Sequence, residues 1–317
     1  MSATKKVIAV VIPCYNEELA IGETASLVKD VLSELISSKV INSKSKVVFV
    51  DDGSNDGTWK KVVRLHNKDK MFRGVKLSRN RGHQGALLAG LMYAKEWADV
   101  SISMDADLQD DVGVIRKMIE KHESGAEIVY GVRSDRRTDS FFKRNSAKVF
   151  YGVMGMLGVE SVKNSADCRL MSRRALDELG KFREVNLFLR GIVPLIGLRT
   201  ASVEYERGKR CAGESKYPLR KMMGFAIDGI TSFSVKPLRL IAAIGMVIAM
   251  ISVAIAVYAV LRWLAGETVE GWTFTAISIW FIGGVQVFSI GVLGEYIGKI
   301  YIEVKDRPRY IIEDVLE

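Results

Sequence analysis

The sequence predicts an α/β domain with a mainly parallel sheet, joined to a membrane hairpin. Three observations predict it. Continuous apolar strand-like runs alternate with helical ones over the first part of the chain, the pattern of strands covered on both faces by crossover helices. Each of several runs ends in an acidic or glycine-rich motif, and in such sheets ligands sit at the carboxyl ends of strands. The C-terminal third carries two long apolar stretches, Leu238–Leu261, uncharged beyond Arg239, and Trp272–Ile297, interrupted only by Glu295. The first is about 24 residues, or about 36 Å of helix, enough to cross a bilayer core. A hydrophilic head fixed to a membrane suits chemistry between a water-soluble donor and a lipid.

The elements follow in order. Val7–Ile12 reads as a first strand; its Pro13 and polar sequel argue against a signal peptide. Glu17–Ser37 is an amphipathic helix, Lys46–Val50 the next strand, and Asp51–Thr58 a turn leading into a helix to about His66. Gly74–Leu77 is a short strand, His83–Trp97 a helix, Val100–Met104 a strand, and Glu127–Val132 another. Basic helical segments follow at Phe141–Leu157 and Lys216–Phe233. The second sets Lys216, Arg220 and Lys221 against Met222, Phe225 and Ile230, as expected of a helix lying in the membrane interface. The expected organisation is a catalytic domain over 1–215, an interfacial helix over 216–235, two spans within 236–298 and a tail over 299–317. Basic residues flank the hairpin at Lys236, Arg239, Lys299, Lys305, Arg307 and Arg309, and the connecting loop is acidic. The positive-inside rule then places head and tail in the cytoplasm.

The net charge of +9 and pI near 9.3 fit anionic partners. Aromatic residues are not interleaved with the basic ones, so phosphate and lipid are expected and nucleic acid is not. Three cysteines, Cys14, Cys168 and Cys211, form neither a disulfide framework nor a zinc site and fit a reducing compartment.

The motif DADLQDD, Asp105–Asp111, carries the strongest chemical signal. Asp105 and Asp107 at a strand end repel each other unless a cation or proton lies between them. Hard oxygen ligands suit Mg²⁺ or Mn²⁺ bridging to substrate phosphates. Gln109 could add a carbonyl oxygen, while Asp110 and Asp111 are expected to cap the helix from Val112. VIPCYNEE, Val11–Glu18, ends the first strand, and DDGSNDGT, Asp51–Thr58, ends the second. A carboxylate there can accept from a base imide N–H, and Asp56 can cap. NRGHQGALLAG, Asn80–Gly90, begins a helix that can face phosphate or sugar; His83 reads there as a helix-start polar residue rather than a ligand. Neither GxGxxG nor GxxxxGK[ST] occurs, which disfavours a dehydrogenase-type fold and a P-loop.

Taken in order, VIPCYNEE, DDGSNDGT, NRGHQGAL, DADLQDD, YGVRSDR, ADCRLMSR and GESKY resemble the family-two GT-A glycosyltransferases that act on polyprenyl phosphates, among them dolichyl-phosphate mannose synthases and bactoprenol glucosyltransferases. The two-span tail with GEYIGKIYIEVKDRPRY resembles the bactoprenol glucosyltransferase and aminoarabinose-transferase branch. The resemblance implies a GT-A nucleotide-sugar-binding domain and a metal-dependent, inverting hexosyltransferase of the bacterial inner membrane. It implies that Pro13, Tyr15, Asn16, Glu17, Asp51 and Asp52 hold the nucleotide, and that Asp105, Asp107 and Gln109 handle metal and diphosphate. Arg133, Arg144 and Ser146 would meet the lipid phosphate. Asp167 and Arg169 would line the sugar pocket, with Arg169 also among the lipid-phosphate residues. Arg207, Arg210, Ser215 and Lys216 would clamp phosphates near the membrane. Asp105, Asp107, Asp167 and Arg133 are the expected catalytic set; Asp167 is either a sugar contact or base, or a structural salt-bridge partner of Arg169.

The implied donor is UDP-glucose and the implied acceptor undecaprenyl phosphate, with GDP-mannose and a UDP-linked aminoarabinose derivative as alternatives. A homo-oligomer through the hairpin and a downstream flippase are the candidate protein partners. A processive polysaccharide synthase would call for QxxRW, and Leu261-Arg262-Trp263 lacks the Gln. The non-enzymatic alternatives are a membrane scaffold or nucleotide sensor, and a pore of oligomerised hairpins.

Overall fold

The computed structural model describes residues 5–107, 110–133, 165–185, 188–205, 235–266 and 271–317. The expected helices at 141–157 and 216–233 lie outside these residues. The chain divides into two compact units: Met1–Tyr151, Glu160–Tyr217 and Arg307–Glu317 form the first, Gly152–Val159 and Pro218–Asp306 the second.

The first unit is built on an eight-stranded sheet. Its strands are β1 (Ile8–Cys14), β2 (Lys46–Asp51), β3 (Phe72–Leu77), β4 (Val100–Ser103), β5 (Ile128–Arg133), β6 (Ser165–Ser172), β7 (Thr200–Tyr205) and β8 (Ile312–Leu316). The spatial order is β7-β5-β6-β4-β1-β2-β3-β8. The block β4-β1-β2-β3 is parallel, with Val10 opposite Val47 and Ile12 opposite Phe49. These side chains are fully buried because helices cover both faces; each contributes about 1.5–3 kcal/mol relative to exposure. β6 runs antiparallel to β4 and β5, and β8 antiparallel to β3. All strands except β6 and β8 therefore end at one edge of the sheet, and β6 starts there.

The covering helices are α1 (Ile21–Ser37), α2 (Thr58–Lys68), α3 (His83–Lys95), α4 (Val114–Glu123), α5 (Arg173–Lys181) and α6 (Leu189–Leu195). α1 packs Val28, Leu32 and Leu35 into the core. α3 lies close on β1 and β2: a Cβ on Gly90 would come within 2.5 Å of both Val11 and Val50 side chains. The expected helix from Glu17 starts four residues later, because Glu17–Ala20 form a turn in which the Glu17 carbonyl accepts from Ala20 and Ile21.

The second unit contains α7 (Lys236–Leu264) and α8 (Trp272–Val304). Lys236–Arg262 has mean hydropathy 2.8 and Phe281–Val304 has 1.4, long and apolar enough to cross a membrane. Leu240, Met250, Val287 and Phe288 are each more than half exposed, a distribution that water disfavours and lipid accommodates. After α8 the chain returns to the first unit, where β8 extends the sheet.

Candidate active site

The strand ends at the common edge fall into two neighbourhoods. At the first, the loops leaving β1 and β2 are laced together. Asn16 adopts a left-handed backbone conformation, φ 54°; its N–H donates to Ser54 Oγ and its Oδ1 accepts from Asn55 N–H at 2.9 Å. Glu17 N–H donates to Thr58 Oγ1, and Gly57 N–H donates to Glu18 Oε2. Asp56 accepts from Thr58 N–H and so caps α2 from one residue ahead of its N-cap position, Gly57. Gly53, at φ 67°, is required by the turn: a Cβ there would sit 2.7 Å from the Arg79 carbonyl carbon.

The two aspartates ending β2 differ. Asp52 Oδ1 accepts from Arg81 N–H at 2.7 Å, tying β2 to the loop that enters α3. Asp51 is fully buried and accepts weakly from Ser54 N–H at 3.4 Å, while its Oδ2 has no hydrogen-bond partner. Burial raises both carboxyl pKa values, opposed at Asp51 by Ser54 and at Asp52 by the Arg81 and Gly82 N–H groups. Pro13 is buried within β1 and Tyr15 is exposed beside these loops.

The second neighbourhood lies where β4 ends and β6 begins. The acidic motif is pinned at several points: buried Thr24 Oγ1 donates to the Ala106 carbonyl at 2.8 Å, and Tyr205 O–H donates to Asp110 Oδ1 at 2.5 Å. Asp110 is therefore not the expected helix cap. The N-cap of α4 is Gly113, whose N–H is held by Asp111 Oδ1. Because β6 is antiparallel, its first residues stand beside the end of β4, with Ser103 opposite Arg169; Ser103 Oγ donates to the Asp167 carbonyl. That register brings Asp167 to Asp105. His83, the first residue of α3, completes the group: its Nε2 is 3.6 Å from Asp105 Oδ1 and 3.6 Å from Asp167 Oδ2.

Asp167 forms its salt bridge with Arg190 of α6 rather than with Arg169: Arg190 Nε and Nη2 donate to its two oxygens at 3.0 and 2.9 Å. Burial alone would raise the Asp167 pKa, but Arg190 and His83 bring it below the ordinary carboxylate value. Among the described residues, no arginine pairs with Asp105 in this way. Burial pushes its carboxyl up to about 6, Asp167 pushes the same way, and His83 opposes them. Arg169 is 3% exposed, stacked over the Tyr130 ring at 5.3 Å, with Nε and Nη2 unpartnered. It belongs to the sheet beneath the cluster rather than to its open surface.

Asp105, Asp167 and His83 each offer a ligand atom, all within 4.8 Å of one another. The set fits a divalent cation, since two carboxylates held this close need positive charge between them. Asp107 is not one of the three. Arg133 ends β5, pairing with Tyr205 in the backbone. Gln109, Arg144, Ser146, Arg207, Arg210, Ser215 and Lys216 lie outside the described residues. Sequence reasoning missed Arg190, whose short helix carries no local signal. It set His83 aside, although the place of His83 between Gly82 and Gly85 at a helix start was a usable sign.

A sheet of this order, with acidic groups at the carboxyl ends of its strands, in a chain that continues into two long apolar helices, is that of a membrane-associated α/β enzyme. The chain belongs to glycosyl transferase family 2: that family's model matches residues 9–180, and a second model, the GtrB C-terminal hairpin, matches 236–300. It is 50% identical to the uncharacterized glycosyltransferase YkoT of Bacillus subtilis, covering 99% of this chain and 93% of that protein. It is 41% identical to the bactoprenol glucosyl transferase of Shigella phage SfII, covering 96% and 97%. Among solved structures, mannosyl-3-phosphoglycerate synthase from Rubrobacter xylanophilus aligns with TM-score 0.47 and 17% identity over 74% of each chain.

Proposed function

We propose that this chain transfers glucose from UDP-glucose to a polyprenyl phosphate, undecaprenyl phosphate in a bacterium, at the cytoplasmic face of the inner membrane. The observation that carries the reading is the juxtaposition of Asp105 and Asp167 at the carboxyl edge of a family-two sheet whose chain continues into an apolar hairpin. The names of the full-length relatives supply the sugar and the lipid.

Asp51 is the carboxylate suited to accept from a base imide N–H, since Asp52 is engaged by Arg81. Pro13, Tyr15, Asn16 and Glu17 shape the same end of the site. Asp105 and Asp167, with Asp107 and Gln109 nearby in sequence, would hold Mg²⁺ or Mn²⁺, which when bound offsets charge on the departing nucleoside diphosphate. Arg190 fixes the Asp167 carboxylate in one orientation and keeps it ionised, which suits a charge-stabilising or sugar-orienting role better than that of a base. The acceptor phosphate is already anionic near neutral pH and needs no strong base. Attack opposite the leaving group inverts the anomeric carbon. Arg133, Arg144, Ser146, Arg207, Arg210, Ser215 and Lys216 are the proposed lipid-phosphate contacts. The return of the chain to the sheet at β8 supports a hairpin with both ends on the side of the head, because an even number of crossings must separate β7 from β8.

The test is transfer of labelled sugar from UDP-glucose to undecaprenyl phosphate in detergent, with and without Mg²⁺ or Mn²⁺. The expected outcome is a chloroform-soluble product that chelation abolishes. Product from GDP-mannose alone would overturn the sugar and keep the reaction class; no product from any nucleotide sugar would overturn the enzymatic reading.

A further inference from the structure

We infer that His83 is a nitrogen ligand of the divalent cation, sharing it with Asp105 and Asp167, and that this imidazole makes the site prefer Mn²⁺ to Mg²⁺. The inference rests on the metal-dependent reading above and adds a ligand from outside the acidic motif.

Three features carry it. The His83 Nε2 atom stands 3.6 Å from one oxygen of each carboxylate. That separation exceeds a hydrogen bond, so the imidazole satisfies neither directly, yet all three ligand atoms converge within 4.8 Å. The backbone that carries the imidazole is also held in place. His83 opens α3 directly after Gly82, whose φ is 80°, and the next side chain, Gln84, accepts from Leu189 N–H at 2.7 Å. This links the start of α3 to α6, the helix that supplies Arg190. Finally, the cluster is open to solvent on the histidine side, where His83 is 41% exposed, while Asp167 is 15% exposed. An ion arriving from water therefore meets the imidazole and two fixed carboxylates together.

The metal preference follows from the donor set. Mg²⁺ takes oxygen ligands and gives up water reluctantly. An imidazole nitrogen bonds first-row transition ions more readily, so one nitrogen among oxygens discriminates against Mg²⁺ without excluding it. The chain has three histidines. The other two are engaged in backbone contacts elsewhere: His66 Nδ1 with the Phe72 carbonyl, and His122 Nδ1 with the Ala126 carbonyl.

The experiment uses the full chain in detergent, with Mn²⁺ as the probe and no sugar donor. Electron spin-echo envelope modulation of the bound ion is recorded on wild type, on wild type grown with ¹⁵N-histidine, and on His83→Gln. The expected result is an imidazole ¹⁴N modulation that becomes ¹⁵N on labelling and disappears in His83→Gln. Mn²⁺ affinity should fall by about tenfold or more in the variant, with Mg²⁺ affinity changing less. Bound Mn²⁺ without imidazole nitrogen coupling would overturn the inference while leaving the metal-dependent transfer reaction standing. An unchanged Mn²⁺-to-Mg²⁺ preference in a folded His83→Gln would overturn the selectivity. Absence of any bound Mn²⁺, alongside transfer that chelation does not affect, would overturn the inference together with the metal reading beneath it.

Discussion

The β1–β2 strand ends and the β4–β6 strand ends use the same residue types for opposite purposes. At the first, carboxylates of Glu18, Asp52 and Asp56 accept backbone N–H groups and build loops. At the second, Asp105 and Asp167 face each other across His83, and Arg190 is bonded to Asp167. An aspartate at a strand end is thus a structural acceptor where N–H donors converge on it, and a chemical group where they do not. Asp51, with one oxygen unpartnered, is the exception on the structural side and the reason nucleotide recognition is placed there.

The comparison is broken most severely at Asp105. Asp105→Asn should lower sugar transfer by about a thousandfold or more, the scale expected when several kcal/mol of metal-assisted charge stabilisation is lost. The same variant should make the chelated protein more stable. Asp105 has its folded-state pKa raised to about 6, against about 3.9 unfolded. The stabilising contribution of such a group is fully present below the unfolded value and is lost as pH rises through the folded one. Metal-free wild type should therefore lose up to roughly 3 kcal/mol between about pH 4 and pH 6. Asp105→Asn should lack that loss. Denaturant melts across this range, with chelator present, check it; parallel profiles for the two proteins would contradict the charge frustration assigned to Asp105.

Arg190 comes next. Arg190→Ala leaves Asp167 without its two charge-assisted donors, which should cost about 2 kcal/mol of stability. It should also return the Asp167 carboxyl toward a higher pKa, since burial alone pushes it up. Transfer should fall with kcat more than with KM, because Arg190 orients Asp167 rather than holding the donor. Thermal melts and steady-state kinetics on one preparation measure both effects. A variant with normal stability and a purely raised KM would place Arg190 on the substrate instead.

How far the sequence disclosed these two neighbourhoods follows from their construction. β1 and β2 are buried on both faces and appear as apolar runs, β4 is equally buried but reads VSIS, and the motifs after all three mark the edge of the site. β6 reads as SADCRLMS, because the residues that reach the site and the sheet beneath it, Asp167 and Arg169, interrupt its apolar pattern. β7 alternates exposed and buried residues, and β8 is a short edge strand with Glu313 and Asp314 in it. Neither resembles the buried strands. The pairing of Asp105 with Asp167 was equally invisible, because it depends on the antiparallel register of β6 across a separation of 62 positions. The apolar spans were legible for the converse reason: a helix facing lipid needs apolar residues all round, and no tertiary partner is required to recognise it.

The smallest effect sharpens the structural half of the comparison at Asp52. Its carboxylate serves two opposing demands: burial raises its pKa, and the Arg81 and Gly82 N–H groups lower it. Asp52→Asn retains an oxygen acceptor and removes the buried charge, so stability at neutral pH should change by less than about 0.5 kcal/mol. Asp52→Ala orphans the Arg81 N–H, which otherwise donates at 2.7 Å, and should cost about 1–2 kcal/mol. Denaturant titration of the pair separates acceptor from charge. If Asn were as damaging as Ala, the charge of Asp52 and not its acceptor oxygen would hold the loop, and the account of Asp52 as a backbone acceptor would fail.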